Sequence, residues 1–143
     1  MKHKTTAVLV ADRMTRKVVT LPGSATLREA ITSMRRLGIR QIPIVDGERL
    51  VGIVTDRDLK HATPSMLSGI GQEEFDRILD STHVAQIMTR NPLPVTPATS
   101  LGDAAKILAD RKFGALPVVE GGRLVGIITT SDLLRALHAM SGE

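Results

Sequence analysis

Apolar residues recur at helical spacing over residues 27–37, where positions three and four apart share one face. Thr26 precedes this stretch, and Glu29 lies three residues after Thr26, which is the pattern of a capping box. Gly38 follows the last apolar position and supplies a helix stop signal. The pattern therefore predicts an amphipathic helix over residues 27–37 with defined ends.

Short β-rich runs surround this helix. Residues 18–21 form an extended run that ends at a Pro-Gly turn signal. Residues 42–45 and 50–54 flank an Asp-Gly pair, which is typical of a β-hairpin. A further helix is predicted to start near Asp56. The order of elements is then β-α-β-β-α.

The same order recurs later in the chain. A shift of 74 residues places residues 11–62 on residues 85–136 without a gap, and 18 of the 52 positions are identical. The second copy is predicted to form a helix over 101–108, capped by Ser100 and Asp103, and a hairpin from strands 116–119 and 124–128. Each copy alone is small for a stable core, so we expect two copies that pack together with pseudo-twofold symmetry.

The repeat defines the domain organisation. We predict a first motif at residues 8–62, a linker at 63–83 and a second motif at 84–139, together forming one α+β pair. Within the linker, residues 72–79 have the apolar spacing of a short helix. That apolar side could serve packing or dimer contacts, and packing is the favoured interpretation.

Composition restricts the possible functions. The chain has no cysteine, which excludes disulfides, thiolate metal sites and thiol nucleophiles and favours a cytoplasmic location. It has two Phe and no Trp or Tyr, which argues against base-stacking surfaces for nucleic acid. No apolar run is long enough for a membrane span. The net charge of +4 is compatible with a phosphate-bearing ligand.

A Thr-x-x-Asp motif ends the hairpin in both copies, as Thr55 with Asp58 and as Thr129 with Asp132. The free N–H groups at a helix start suit a phosphate, and the Thr hydroxyl can add a donor. An ionised Asp offers two acceptor oxygens, which match the two adjacent hydroxyls of a ribose. The same motif is also close to a simple capping box, so both roles remain open.

Basic residues near this motif differ between the copies. Arg40 precedes the first hairpin, whereas Gly114 and Ala115 occupy the corresponding region of the second copy. Arg57 has Ser131 as its counterpart. If both sites bind ligands, the site built around the first copy is predicted to prefer more phosphate charge. Solvated surface arginines are the alternative interpretation.

The two hairpins, each continued by Gly-x-x-Thr-x-x-Asp from Gly52 and Gly126, resemble the CBS-domain family, named after cystathionine β-synthase. The whole chain apart from linker and tails is similar to one CBS pair, or Bateman module. The linker also resembles that of acetoin-utilisation-type CBS proteins. The resemblance implies two tandem β-α-β-β-α motifs and a cleft between them that binds AMP, ADP or ATP, with S-adenosylmethionine or NAD-type ligands in some members.

The resemblance also implies site residues. The Thr would contact phosphate and the Asp would hold ribose, while adenine would lie against apolar side chains including Val54. Backbone near Thr20 and Gln41 would read the adenine edge. The implied nucleotide-binding residues are Thr20, Arg40, Gln41, Ile42, Pro43, Thr55, Arg57, Asp58, Gly114, Ala115, Leu116, Pro117, Thr129 and Asp132.

The favoured function is a regulatory sensor, and not an enzyme. It would bind an adenine nucleotide, associate into a homodimer through exposed apolar helix faces around 27–37 or 101–108, and act on an unidentified partner protein. No cofactor is expected. The four scattered histidines do not have metal-ligand spacing, and no acid–base pair is identifiable. The alternatives are a protein-interaction module with empty clefts and, less favoured, a nucleic-acid-binding protein.

Overall fold

A computed structural model describes residues 7–142 of the chain. The chain divides into two compact units, which we call the first-hairpin unit (Val19–Pro92) and the second-hairpin unit (Met1–Val18 with Leu93–Glu143, as far as these are described). Both units combine helices with strands, which confirms the predicted α+β class. The short segment that ends at Val18 therefore folds with the second hairpin.

The elements are numbered in chain order. The helices are α1 Val10–Arg13, α2 Leu27–Leu37, α3 Asp56–Ala62, α4 Gln72–Ser81, α5 Leu101–Arg111 and α6 Thr130–Ser141. The strands are β1 Leu21–Pro22, β2 Gln41–Asp46, β3 Arg49–Thr55, β4 Thr89–Arg90, β5 Ala115–Glu120 and β6 Arg123–Thr129. Short 3-10 turns occur at Met66–Ser68 and Val84–Gln86.

In the first-hairpin unit, β2 pairs with β3 as an antiparallel hairpin. Strand β1 runs parallel to β2, and β4 runs antiparallel to β3. Apolar residues from the strands and from α2, α3 and α4 form one core. The buried members of this core are Ala25, Leu27, Ala30, Met34, Ile42, Ile44, Val54, Leu59, Leu79 and Val84.

In the second-hairpin unit, β5 pairs with β6 as the second antiparallel hairpin. Thr15 forms an antiparallel bridge with Ile127 of β6, and Val95 forms a parallel bridge with Val118 of β5. The buried members of its core are Val10, Met14, Val95, Leu101, Ala104, Leu108, Leu116, Val118, Ile128 and Ala136. The N-terminal segment thus supplies both a strand partner and core side chains to this hairpin.

The predicted helix 27–37 is confirmed, including its ends. Thr26 Oγ1 accepts a hydrogen bond from the Glu29 N–H at 3.1 Å, and the Glu29 carboxylate accepts one from the Thr26 N–H at 2.9 Å. Gly38 ends the helix with a left-handed φ of 64°. Only the end of the extended run predicted at 18–21 forms a strand, since pairing to β2 begins at Leu21.

The short helix predicted in the linker is confirmed, and its apolar side serves packing. Helix α4 covers the predicted 72–79 and extends to Ser81, and its Leu79 is buried in the core of the first-hairpin unit. Phe75 packs against the same core. The apolar side of this helix is therefore occupied within its own unit.

The dimer contacts expected through the helix faces around 27–37 or 101–108 stay a prediction, and most of the apolar residues of these faces are buried within the chain. The apolar sides of α2 and α5 are buried in the cores of their own units, because each helix has one apolar face and uses it there. Among the described residues of the α-helices, the exposed large apolar side chains are Leu37 on α2 and Leu134, Leu137 and Met140 on α6. Across residues 7–142, the helices fall short of the length and apolar character that a membrane crossing requires.

Candidate functional site

The candidate site of the first-hairpin unit lies where β3 passes into α3. Thr55 is the last residue of β3, has extended backbone and is the N-cap of α3. It pairs in register with Gln41, the first residue of β2. The N–H of Asp56 donates a hydrogen bond to the Arg40 carbonyl at 2.9 Å. The hairpin geometry therefore brings Arg40, Gln41 and Thr55 together, as the sequence predicted for one site.

Thr55 and Asp58 form a reciprocal cap. The Asp58 N–H donates to Thr55 Oγ1 at 3.1 Å, and the Thr55 N–H donates to Asp58 Oδ2 at 2.9 Å. The capping interpretation of the motif is confirmed. The cap uses only part of the motif, because the Thr55 hydroxyl proton and Asp58 Oδ1 have no hydrogen-bond partner within residues 7–142. Capping and ligand binding are therefore compatible.

The second-hairpin unit repeats this cap and adds to it. Thr129 and Asp132 make the same two hydrogen bonds, at 3.1 and 2.9 Å. The hydroxyl of Thr15 also donates to the Asp132 carboxylate, at 3.1 Å to Oδ1 and 3.3 Å to Oδ2. The Arg135 guanidinium donates to Oδ1 at 2.9 Å. Asp132 is only 5% exposed, whereas Asp58 is half-buried.

Sequence reasoning missed the roles of Thr15 and Arg135. Thr15 lies in the Met-Thr-Arg block that both copies share, so its repetition was a visible signal without an assigned role. Its counterpart in the first-hairpin unit is Thr89, which pairs with Ile53 of β3. The position of Arg135 is occupied by His61 in the first copy. Nothing in a single sequence connects Thr15 with Asp132.

The apolar residues predicted to line the site divide between two faces of each strand. Successive strand residues point to opposite faces. Ile42 and Leu116 belong to the cores of their units and are essentially inaccessible. Pro43 and Pro117 are also fully buried, so none of these four residues presents a surface that a ligand could contact. Val54, suggested as an adenine contact, is likewise fully buried in the core of the first-hairpin unit.

The other residues of β2 and β5 that were predicted to line the site alternate with these core residues and lie on the opposite face of each hairpin. In the first-hairpin unit these are Gln41 and Pro43 on β2, paired with Thr55 and Ile53 on β3. In the second-hairpin unit they are Ala115 and Pro117 on β5, paired with Thr129 and Ile127 on β6.

The predicted basic residues are accessible. The side chains of Arg40 and Arg57 are exposed, and neither forms an ion pair in the described part of the chain. Thr20 lies just before β1 and is half-buried. Gly114 is exposed, and its carbonyl accepts a hydrogen bond from the Thr130 N–H at 3.0 Å. In the first copy the Arg40 carbonyl accepts the equivalent bond from the Asp56 N–H. The two copies thus share backbone geometry but not charge.

No group of three or more His, Asp, Glu or Cys side chains that could hold a metal ion occurs among residues 7–142. The motif and its neighbours present hydroxyl, carboxylate, backbone and guanidinium groups. These groups can bind hydroxyls and anions.

Comparison with known proteins finds one family model and similar solved structures that cover most of the chain. A family model described as CBS domain matches residues 10–65 and 84–139. The crystal structure of a protein assigned to acetoin utilization, AcuB of Vibrio cholerae, is 36% identical, with 94% of this chain and 93% of that chain covered and a TM-score of 0.80. The linker resemblance named from the sequence is in line with this neighbour.

Two further solved structures were obtained with ligands. CBSX2, from Arabidopsis thaliana, in complex with AMP is 29% identical over 93% of this chain and 98% of that chain, with a TM-score of 0.78. The CBS domain pair of protein MJ0100, in complex with 5′-methylthioadenosine and S-adenosyl-L-methionine, is 26% identical over 94% and 99%, with a TM-score of 0.77. An adenosyl group is common to all three of these ligands.

Proposed function

This chain belongs to the CBS-domain family, and from that membership we propose that it is a regulatory module that binds an adenosyl ligand and not an enzyme. The favoured ligands are AMP, ADP and ATP, followed by S-adenosylmethionine and NAD-type molecules. We further propose that it acts in the cytoplasm as a homodimer and conveys ligand binding to a partner protein. The mechanism is a population shift, limited by the difference in ligand affinity between two states.

One observation carries the proposal. The Asp58 carboxylate is fixed by the Thr55 N–H through Oδ2, while Oδ1 has no partner in the described residues. A ribose presents two adjacent hydroxyl donors, and hydrogen bonds to an ionised carboxylate are about twice as strong as neutral ones. The cap therefore fixes the orientation of an acceptor without consuming it. This is the property that a ribose-binding carboxylate needs.

The groups around Asp58 suit the rest of a nucleotide. The Thr55 hydroxyl accepts from the Asp58 N–H and keeps its own proton for a phosphate oxygen. Arg40 and Arg57 are exposed cations close to this motif in sequence and can meet phosphate charge. Backbone at Thr20 and Gln41 can bond the adenine edge. In the related MJ0100 complex 5′-methylthioadenosine carries no phosphate, so the adenosine portion defines the ligand class.

The test is the thermal stability of the purified chain in AMP, ADP, ATP, S-adenosylmethionine and NADH, with GMP as the control. A ligand present at about a hundred times its dissociation constant stabilises the folded state by about 2.7 kcal/mol. We expect such a shift with at least one adenosyl ligand and a smaller one or none with GMP. The proposal fails if none of the adenosyl ligands raises Tm, and the interaction-module alternative would then be favoured.

A further inference from the structure

The two Thr-x-x-Asp motifs differ in how far the carboxylate is already occupied. From this difference we infer that the chain binds its ligand through Asp58 alone, and that Asp132 is a structural residue whose acceptor capacity is used by the protein itself. The inference rests on the proposed function and adds which copy is used. It predicts one adenosyl ligand per chain.

Asp132 has little capacity left for a ribose. A carboxylate offers roughly four acceptor positions. At Asp132 the Thr129 N–H uses one position on Oδ2, the Arg135 guanidinium uses one on Oδ1, and the Thr15 hydroxyl lies between the two oxygens. The side chain is also 5% exposed. The two hydroxyls of a ribose would therefore have to displace Thr15 or Arg135 to bind there.

Asp58 has the same cap without these additions. Its Oδ2 accepts the Thr55 N–H, and Oδ1 is left without a protein donor in the described part of the chain. The difference has a cause in the sequence, because His61 stands at the i+3 position where the second copy has Arg135. Thr89, the counterpart of Thr15, forms no hydrogen bond to Asp58 in the described residues.

The donors of Asp132 show what it does instead. Thr15 is bound to β6 through its backbone, with its N–H on the Ile127 carbonyl at 2.8 Å and its carbonyl on the Ile127 N–H at 2.9 Å. Its hydroxyl then joins this segment to the first turn of α6 through Asp132. The carboxylate thus connects the N-terminal segment, β6 and α6 within one unit. Removing its charge should reduce stability more than the same change at Asp58.

The experiment is calorimetric titration of the full chain with AMP, comparing wild type with Asp58→Asn and Asp132→Asn. We expect one AMP per wild-type chain. Asp58→Asn should raise the Kd for AMP by about tenfold or more, since the substitution removes a hydrogen bond to a charged group. Asp132→Asn should leave the Kd within about twofold and lower the ligand-free Tm more than Asp58→Asn does.

A reciprocal variant tests the cause. His61→Arg gives the first copy the guanidinium that occupies Asp132 in the second, and His61→Ala is the matched control. We expect His61→Arg to weaken AMP binding by several-fold and His61→Ala to leave it unchanged. If Asp132→Asn does not fold, Arg135→Gln replaces it, because a ligand site at Asp132 would gain affinity once the competing guanidinium is removed, whereas a site at Asp58 would be unaffected.

The outcomes separate this inference from the proposed function. Two AMP molecules per wild-type chain, or equal losses of affinity in Asp58→Asn and Asp132→Asn, would overturn the inference and leave the proposed function standing. An unchanged Kd in Asp58→Asn would also overturn the inference and leave the proposed function standing. If AMP and the other adenosyl ligands bind neither the wild type nor any variant, both are overturned together.

Discussion

Gly52 and Gly126 occupy the position in each hairpin where a short segment approaches the second strand. A Cβ on Gly126 would lie 2.7 Å from Met14 Sδ and 3.0 Å from the Thr15 carbonyl. A Cβ on Gly52 would contact Met88 Sδ and lie 2.9 Å from the Thr89 carbonyl. The methionines can move, but the carbonyls belong to paired backbone. We therefore expect Gly52→Ala and Gly126→Ala each to cost about 1 to 3 kcal/mol of unfolding free energy.

Urea denaturation measures this loss, and Gly102→Ala is the control. Gly102 lies in α5, and a Cβ there would meet nothing within 4 Å. In a helix the change from Gly to Ala stabilises by roughly 0.5 to 1 kcal/mol. If Gly126→Ala and Gly102→Ala gave the same change in stability, the close approach of the Thr15 segment would be refuted.

Single residues also show what could be predicted from sequence. The caps at Thr26, Thr55 and Thr129 were predictable because a cap joins residues three positions apart. The contact of Thr15 with Asp132 joins residues 117 positions apart and has no local signature. Which side chains of 42–45 face the core was also hidden, because a continuous apolar run lacks the alternation that reveals the buried face.

At the scale of elements, α2 and α4 are joined by Arg28. Its guanidinium donates to Asp80 at 2.6 Å and to Asp76 at 3.0 Å. Hydrogen bonding to Arg28 lowers the pKa of Asp76, and bonding to Asp80 and then Asp76 raises the pKa of Arg28. A carboxyl whose pKa is lower in the folded state stabilises the fold above its unfolded pKa. That contribution is lost as pH falls through the folded value.

We therefore expect Arg28→Ala to lower Tm at neutral pH by a small amount, since the groups are exposed. The difference from wild type should be largest above about pH 5 and should shrink below the ordinary Asp pKa of 3.8. Thermal unfolding between neutral and strongly acidic pH measures it. Arg77→Ala is the control, because Arg77 pairs with Glu74 within the same helix, α4. A pH-independent difference would contradict the assigned role.

The ends of α2 and α5 show why some helix boundaries could be predicted from sequence and others could not. Gly38 ends α2 in the left-handed conformation, and a Gly at that position is a readable stop signal. Its counterpart at the end of α5 is Lys112, which adopts a left-handed φ of 57° without such a signal. The second helix was therefore predicted to end at 108, whereas α5 continues to Arg111. The N–H groups of Lys112 and Phe113 both donate to the Leu108 carbonyl, so local backbone hydrogen bonds close the helix without a glycine.

At the scale of the whole molecule, the internal repeat predicted the fold but not how the chain is shared between the units. A repeat shows which residues correspond, as Thr15 corresponds to Thr89. It does not show which hairpin each segment pairs with. In the structure Thr15 pairs with β6, and Thr89 pairs with β3, so each hairpin receives the segment that begins the other copy. Such pairing is decided by tertiary contacts that a single sequence does not contain.

The charge of the molecule leads to a prediction about ligand choice. The chain carries a net charge of +4, and the first copy has exposed Arg40 and Arg57 where the second has Gly114 and Ser131. Each exposed ion pair contributes about 0.2 to 1 kcal/mol. We therefore expect the Arg40→Ala/Arg57→Ala double variant to weaken ATP binding by roughly two- to thirtyfold and to leave adenosine binding nearly unchanged.

Titration calorimetry with ATP and adenosine at low and high salt measures this selectivity. Salt should weaken ATP binding to the wild type, and the double variant should lose part of that salt dependence, because exposed charges are screened within about a Debye length. Arg13→Ala/Arg111→Ala is the control, since it removes the same net charge from exposed positions in the second-hairpin unit. If only the total charge mattered, both double variants would weaken ATP equally. Equal losses for ATP and adenosine in the first double variant would instead mean that the arginines shape the site and do not select phosphate charge.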